Sequence, residues 1–88
     1  MSDTIEESKD VMLAALSLME AKNADYGDSW RDMRLTSITD QILVKIRRIK
    51  QIEEAGGVTQ VSEGVESEYR DILNYCVFAL IKIRGDLK

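Results

Sequence analysis

At 88 residues the chain has room for one domain, residues 1–88, and its core is thin enough to want a staple or a partner. Hydrophobic residues at 44%, charged residues at 32% and no proline describe a globular, helix-rich chain rather than a disordered one. A net charge of −4 argues against a nucleic-acid coat, one cysteine excludes an internal disulfide, and the lack of histidine argues against zinc, leaving oxygen-held magnesium, manganese or calcium.

The opening, Ser2-Asp3-Thr4-Ile5-Glu6-Glu7, is acidic and polar, without the positive start and apolar run of a signal peptide. No apolar stretch approaches the length of a membrane span, so the expectation is a cytoplasmic protein with no membrane partner. The first periodic segment runs from about Thr4 to Asn23, with Ile5, Met12, Ala15, Leu16 and Met19 on one face. Asp3 or Thr4 suits its N-cap, and Glu6 and Glu7 suit the positive end of its dipole. The same spacing brings Asn23 onto the apolar face with Lys22 on its flank; Asn23 reads either as a polar group facing the bundle centre or as a C-cap.

Gly27 breaks this helix, and Asp28 and Ser29 start a short helical turn carrying Trp30, Arg31, Met33 and Arg34. Thr36, Ser37 and Thr39 offer caps for a second helix over about Ile38 to Glu54, whose stripe is Ile38, Ile42, Ile46, Ile49 and Ile52. Lys45 and Glu53 project close to that stripe, whereas Arg48 lies well around the helix. The segment from Ala55 to Gly64 reads as a loop, with a short strand or an early start to the last helix as alternatives. A third helix spans about Val65 to Arg84, with Ile72, Cys76, Ala79, Leu80 and Ile83 on its stripe, widened by Tyr69, Leu73 and Tyr75. Cys76 on that stripe reads as a small buried side chain. Three apolar stripes predict an all-α bundle of three to four helices, completed by a homodimer or higher homo-oligomer.

Three local features carry chemistry. Glu68 and Asp71, at i and i+3, are neighbours on a face beside the buried stripe. Two like charges there cost stability unless a cation joins them, which makes the pair either a magnesium site or an ordinary acidic face. Lys45-Ile46-Arg47-Arg48-Ile49-Lys50 is a solvated basic face, a set of phosphate ligands or, against the acidic balance of the rest, a nucleic-acid strip. Lys22-Asn23-Ala24-Asp25-Tyr26-Gly27-Asp28-Ser29-Trp30 has the composition of a binding loop, in which Trp30 either covers the core or stacks on a base.

In this order the three features resemble a small bacterial and phage family of helical proteins associated with nucleotide modification. The likeness runs from Lys22-Asn23-Ala24-Asp25-Tyr26-Gly27-Asp28-Ser29-Trp30-Arg31, through Thr36 to Ile42, Lys45 to Ile49 and Ile52-Glu53-Glu54, to Glu63 to Tyr69 and Asp71 to Tyr75. That family in turn resembles the all-α nucleoside triphosphate pyrophosphatases of the MazG and dimeric dUTPase group. The likeness implies a MazG-like bundle in a bacterial or phage-infected cell, magnesium held by Glu68 and Asp71, and cleavage of a nucleotide to monophosphate and pyrophosphate. It also implies that Asn74 and Tyr75 help hold the nucleotide; read from the residues, Glu53, Glu54 or Glu66 stand near the water, Lys22, Lys45 and Arg48 clamp phosphates, and Asn23, Tyr26, Trp30 and Arg31 flank the nucleotide. The chain departs from those enzymes on the earlier helix. Where they carry Glu-x-x-Glu it has Lys45-x-x-Arg48, a pattern suited to binding phosphate more than to gathering metal ions. Three functions therefore stand side by side: a magnesium-dependent pyrophosphohydrolase, a non-catalytic protein that senses or sequesters a nucleotide, and an interaction module without a small ligand.

Overall fold

The computed structural model describes residues 3–56 and 64–86, apart from the side chains of Tyr26 and Asp86. Three helices pack together: α1 (Thr4–Tyr26), α2 (Leu35–Glu54) and α3 (Val65–Asp86), with a 3-10 turn at Ser29–Asp32 between the first two. There is no strand among the described residues. The strand or early helix weighed for the loop falls on residues 57–63, outside them. The described helices include none long and apolar enough to cross a membrane.

Helix ends differ from the sequence reading in instructive ways. α1 runs on past Asn23 to Tyr26 and stops at Gly27, whose φ of 68° is the left-handed conformation that glycine adopts without a Cβ penalty. The Gly27 amide donates to the Asn23 carbonyl at 2.8 Å. Asn23 is thus a helical residue rather than the cap. α2 begins at Leu35, so the expected caps Thr36 and Ser37 lie in its first turn. The start is set by the backbone: Met33 and Arg34 are extended, and the Arg34 carbonyl accepts from the amides of Ser37 and Ile38. Thr39 turns its hydroxyl back onto the Leu35 carbonyl at 3.2 Å, which uses the side chain locally instead of at a cap. Asp3 occupies the N-cap position of α1 without a side-chain cap bond.

The core is small. Ala15, Trp30, Ile38 and Ile49 are buried, and Ile38 is wholly enclosed. The α2 stripe needs one correction: Ile46 is exposed, and the half-buried position beside Ile42, Ile49 and Ile52 is Lys45. Positions 38, 42, 45, 49 and 52 follow the alternating four- and three-residue spacing of a packed seam, which places Lys45 inside it. α2 and α3 make the main helix–helix contact, while α1 leans on α3. On α3, Ile72, Leu73, Tyr75, Cys76 and Ala79 are half-buried. Tyr69, Leu80 and Ile83 are exposed, as are Ile5, Met12 and Leu16 of α1, so the stripes read from the sequence are only partly covered within one chain.

Candidate functional site

A lysine in a helix seam needs an anion beside it, since an unpaired buried ammonium is costly. α3 supplies two. Lys45 Nζ lies 2.9 Å from Asp71 Oδ2 and 3.4 Å from Glu68 Oε2, and the three side chains are only 15%, 13% and 12% exposed. Two further cations join from the rim. Lys22, near the end of α1, donates from Nζ to Asp71 Oδ1 at 3.2 Å, and Arg48 Nη1 stands 4.0 Å from Glu68 Oε1. Burial alone would push the Asp71 carboxyl up, but hydrogen bonds and charge from Lys45 and Lys22 outweigh it and hold the group below its ordinary value of 3.8. For Lys45, burial works to lower the ammonium; the hydrogen bond and charge of Asp71, then Glu68, overcome it and hold the group above 10.5.

Beside this ion cluster a cleft of about 260 Å³ opens between the end of α1, the 3-10 turn, α2 and α3. That volume lies near the lower edge of the roughly 300–1,000 Å³ common for small-molecule sites. Lys22, Lys45 and Asp71 form its charged wall, and Met19, Trp30, Met33, Tyr75 and Phe78 its apolar one, with Asn23, Gly27, Ser29 and Asn74 between them. The turn that frames the mouth is braced locally. Asn23 Nδ2 donates to Asp28 Oδ1 at 2.7 Å, and Arg31 Nε donates to Asp28 Oδ2 at 3.0 Å. Asn74, 8% exposed, donates from Nδ2 to the Ala15 carbonyl at 3.0 Å, a buried cross-link that seats α1 on α3.

Trp30 is held on both faces. Phe78 stacks on it with centroids 4.5 Å apart and planes 9° off parallel, and the Arg31 guanidinium lies 4.5 Å above its ring. Tyr75 meets Phe78 edge-on at 6.1 Å. With both faces occupied, Trp30 closes the core and leaves no face for a base. Its buried Nε1–H has no acceptor among the described residues.

Of the residues singled out in the sequence, Lys22, Asn23, Trp30, Lys45, Asp71, Asn74 and Tyr75 line one cleft. Glu68 and Arg48 belong to the adjoining ion cluster, and Arg31 rides on Trp30 outside the lining. Glu53 and Glu54 are exposed near the end of α2, away from cluster and cleft, and Glu66 pairs with Arg70 at 2.7 Å. The side chain of Tyr26 lies outside the described residues. Sequence reading placed Ser29 in the binding loop but missed Met19, Met33 and Phe78 as parts of the wall. Phe78 had a signal, since positions 71, 75 and 78 repeat the four- and three-residue spacing that carries Asp71 and Tyr75.

The donor set does not suit a resident divalent ion. Magnesium asks for oxygen ligands in near-octahedral order, and here two carboxylates share an ammonium. No group of three or more His, Cys, Asp or Glu converges among the described residues.

Comparison with known proteins agrees on the class of molecule. The family model described as nucleotide modification associated domain 1 matches residues 22–83, which takes in the cleft-lining residues apart from Met19. No curated protein matches the chain, and no solved structure does.

Proposed function

The chain belongs to the nucleotide modification associated domain 1 family, and on that premise we propose that its cleft binds a nucleotide without hydrolysing it. One observation carries this reading: Lys45 sits between Glu68 and Asp71, with Lys22 alongside. A pyrophosphohydrolase of the kind the sequence resembles needs those two carboxylates for metal. A binding protein needs the ammonium groups for phosphate, the use to which lysine lends itself as a point charge. The neighbouring walls suit the remainder of such a ligand. Tyr75 and Phe78 give aromatic surface for a base or sugar, and Ser29 gives neutral polar contact. Binding of this kind does not require magnesium, and it fits a protein that senses or sequesters its ligand.

The test is a nucleotide panel, with and without magnesium, followed by calorimetry for binding and chromatography for products. Binding with the nucleotide recovered intact is the expected result. Release of monophosphate and pyrophosphate, lost in Glu68→Gln, would establish the hydrolase instead. If no nucleotide binds, the lysine and two acids are only a clasp between α2 and α3.

We also propose that the protein works as a homo-oligomer. Four buried apolar side chains among the described residues are few for a stable domain, and Ile5, Met12, Leu16, Leu80 and Ile83 stand exposed on α1 and α3. The Cα radius of gyration, 14.7 Å, exceeds the roughly 12 Å expected of a compact chain of this length. Light scattering on the purified protein checks the subunit count, and a stable monomer would overturn the proposal.

A further inference from the structure

We infer that the cleft selects nucleotides carrying a singly charged phosphate, of the phosphodiester class, over those carrying a polyphosphate tail. The inference rests on the nucleotide-binding reading and narrows its ligand. Its ground is the charge available to an incoming anion. Lys22, Lys45 and Arg48 bring three positive charges to the cluster, and Glu68 and Asp71 remove two, leaving one. The cleft lining taken alone gives the same answer, because Lys22 and Lys45 stand against Asp71. Asp28 and Arg31, next door, cancel each other at 3.0 Å.

The two carboxylates are therefore built-in competitors for the cations that a phosphate would use. Asp71 already accepts from both Lys22 and Lys45, at 3.2 Å and 2.9 Å. An entering phosphate either shares those ammonium groups with Asp71 or displaces it, and each added ligand charge meets the same fixed carboxylate at close range. A phosphodiester carries one charge per phosphate and matches the surplus. A terminal phosphate monoester carries about 1.5 to 2, and a triphosphate tail carries more again. The rest of the lining agrees. It is mostly apolar or neutral, with Met19, Met33, Tyr75, Phe78 and Ser29, and so can hold a nucleoside but cannot neutralise a polyanion.

The experiment titrates the full-length protein with three forms of the same nucleoside: the cyclic monophosphate as a phosphodiester, the 5′-monophosphate and the 5′-triphosphate. Each series is run in chelator at one ionic strength for each of the four common bases. For the base that binds, the phosphodiester is expected to bind at least as tightly as the monophosphate and about tenfold more tightly than the triphosphate, given unit charges a few ångströms apart in a partly exposed site. Asp71→Asn, which raises the surplus by one, should move the ratio of diester to triphosphate affinity about tenfold toward the triphosphate. Glu68→Gln should move it the same way and serves if the first variant does not fold; the wild-type ranking stands without either. A triphosphate that binds tightest to the wild type, or a ratio unmoved by the folded variants, overturns the inference and leaves nucleotide binding intact. Binding by no form at any base overturns the nucleotide reading itself.

Discussion

Replacing Lys45 by methionine keeps the seam filled and removes the one charge that both acids share. Truncating one partner of a fully buried ion pair costs about 3–5 kcal/mol, because the other is left uncompensated. Here the loss is smaller. Asp71 keeps Lys22 at 3.2 Å and Glu68 keeps Arg48 at 4.0 Å, but both of those cations are more than half exposed. A cost of about 2–3 kcal/mol at neutral pH follows, which for a chain of this size lowers Tm by roughly 10–15 °C. The pH dependence is the sharper signature. In the native protein Asp71 titrates below its unfolded value, so its contribution is complete above about pH 4 and is lost as the pH falls through the depressed native value. Lys45 titrates above 10.5, so its contribution is complete below that value and is lost as the pH rises through the elevated one. Without Lys45 the Asp71 carboxyl loses its strongest partner and titrates higher. The gap between Lys45→Met and wild type should therefore narrow as the pH is lowered from 7 toward 4.5. Urea unfolding of both proteins at the two pH values measures this. A gap under about 0.5 kcal/mol at pH 7, or one that fails to narrow in acid, would refute the view that Lys45 is the counter-ion of the pair.

Lys45→Glu with Arg48→Glu puts four carboxylates together: without a divalent ion the variant should melt well below wild type, and millimolar magnesium should recover several degrees of Tm, while wild type is indifferent to the ion. Trp30→Phe keeps the stacking on Phe78 and deletes an N–H without an acceptor, so stability should change by under about 1 kcal/mol, whereas Trp30→Ala should lose about 3–5 kcal/mol; thermal melts separate the two. Asn74→Ala removes the buried bond to the Ala15 carbonyl and should cost about 1–3 kcal/mol, with hydrogen exchange rising first in α1, which that bond seats. The triple replacement Lys45→Met, Glu68→Leu, Asp71→Leu should fold with stability equal to wild type or up to about 4 kcal/mol higher and should lose nucleotide binding in the same calorimetric panel.

The three helices and the turn between them were legible because periodicity and glycine placement are local signals, and Gly27 marks the end of α1 as plainly in sequence as in structure. The start of α2 was not, because extended backbone at Met33 and Arg34 sets it rather than a capping side chain. The association of Lys22, Asn23, Trp30, Lys45, Asp71, Asn74 and Tyr75 around one cleft was suggested by motif order alone. What sequence reading could not supply was which cation meets the Glu68–Asp71 pair. Ile46 is the more apolar candidate for the seam, and only the register between α2 and α3 decides that Lys45 takes the place and meets the acids. The double occupation of the Trp30 faces was equally hidden, since Phe78 and Arg31 reach it from different elements.

The ion cluster is a poor device for stability taken by itself. Burying Lys45, Glu68 and Asp71 in a seam whose other α2 positions are isoleucine costs desolvation that an apolar seam would not incur. Among the described residues the buried apolar side chains are few, which leaves little stability to spare. The cost is confined to one place. The charges gather where the seam borders the cleft, whereas Ile38 and Ile49, to either side on the same helix, are buried. A clasp whose only task was to hold α2 against α3 would serve equally well elsewhere along the contact, away from any opening. Cations held ready at a cleft wall by internal carboxylates are instead oriented before an anion arrives, and ordering them costs less at the moment of binding. That is the physical reason for reading the cluster as a site which the fold tolerates, rather than as a bond on which the fold depends.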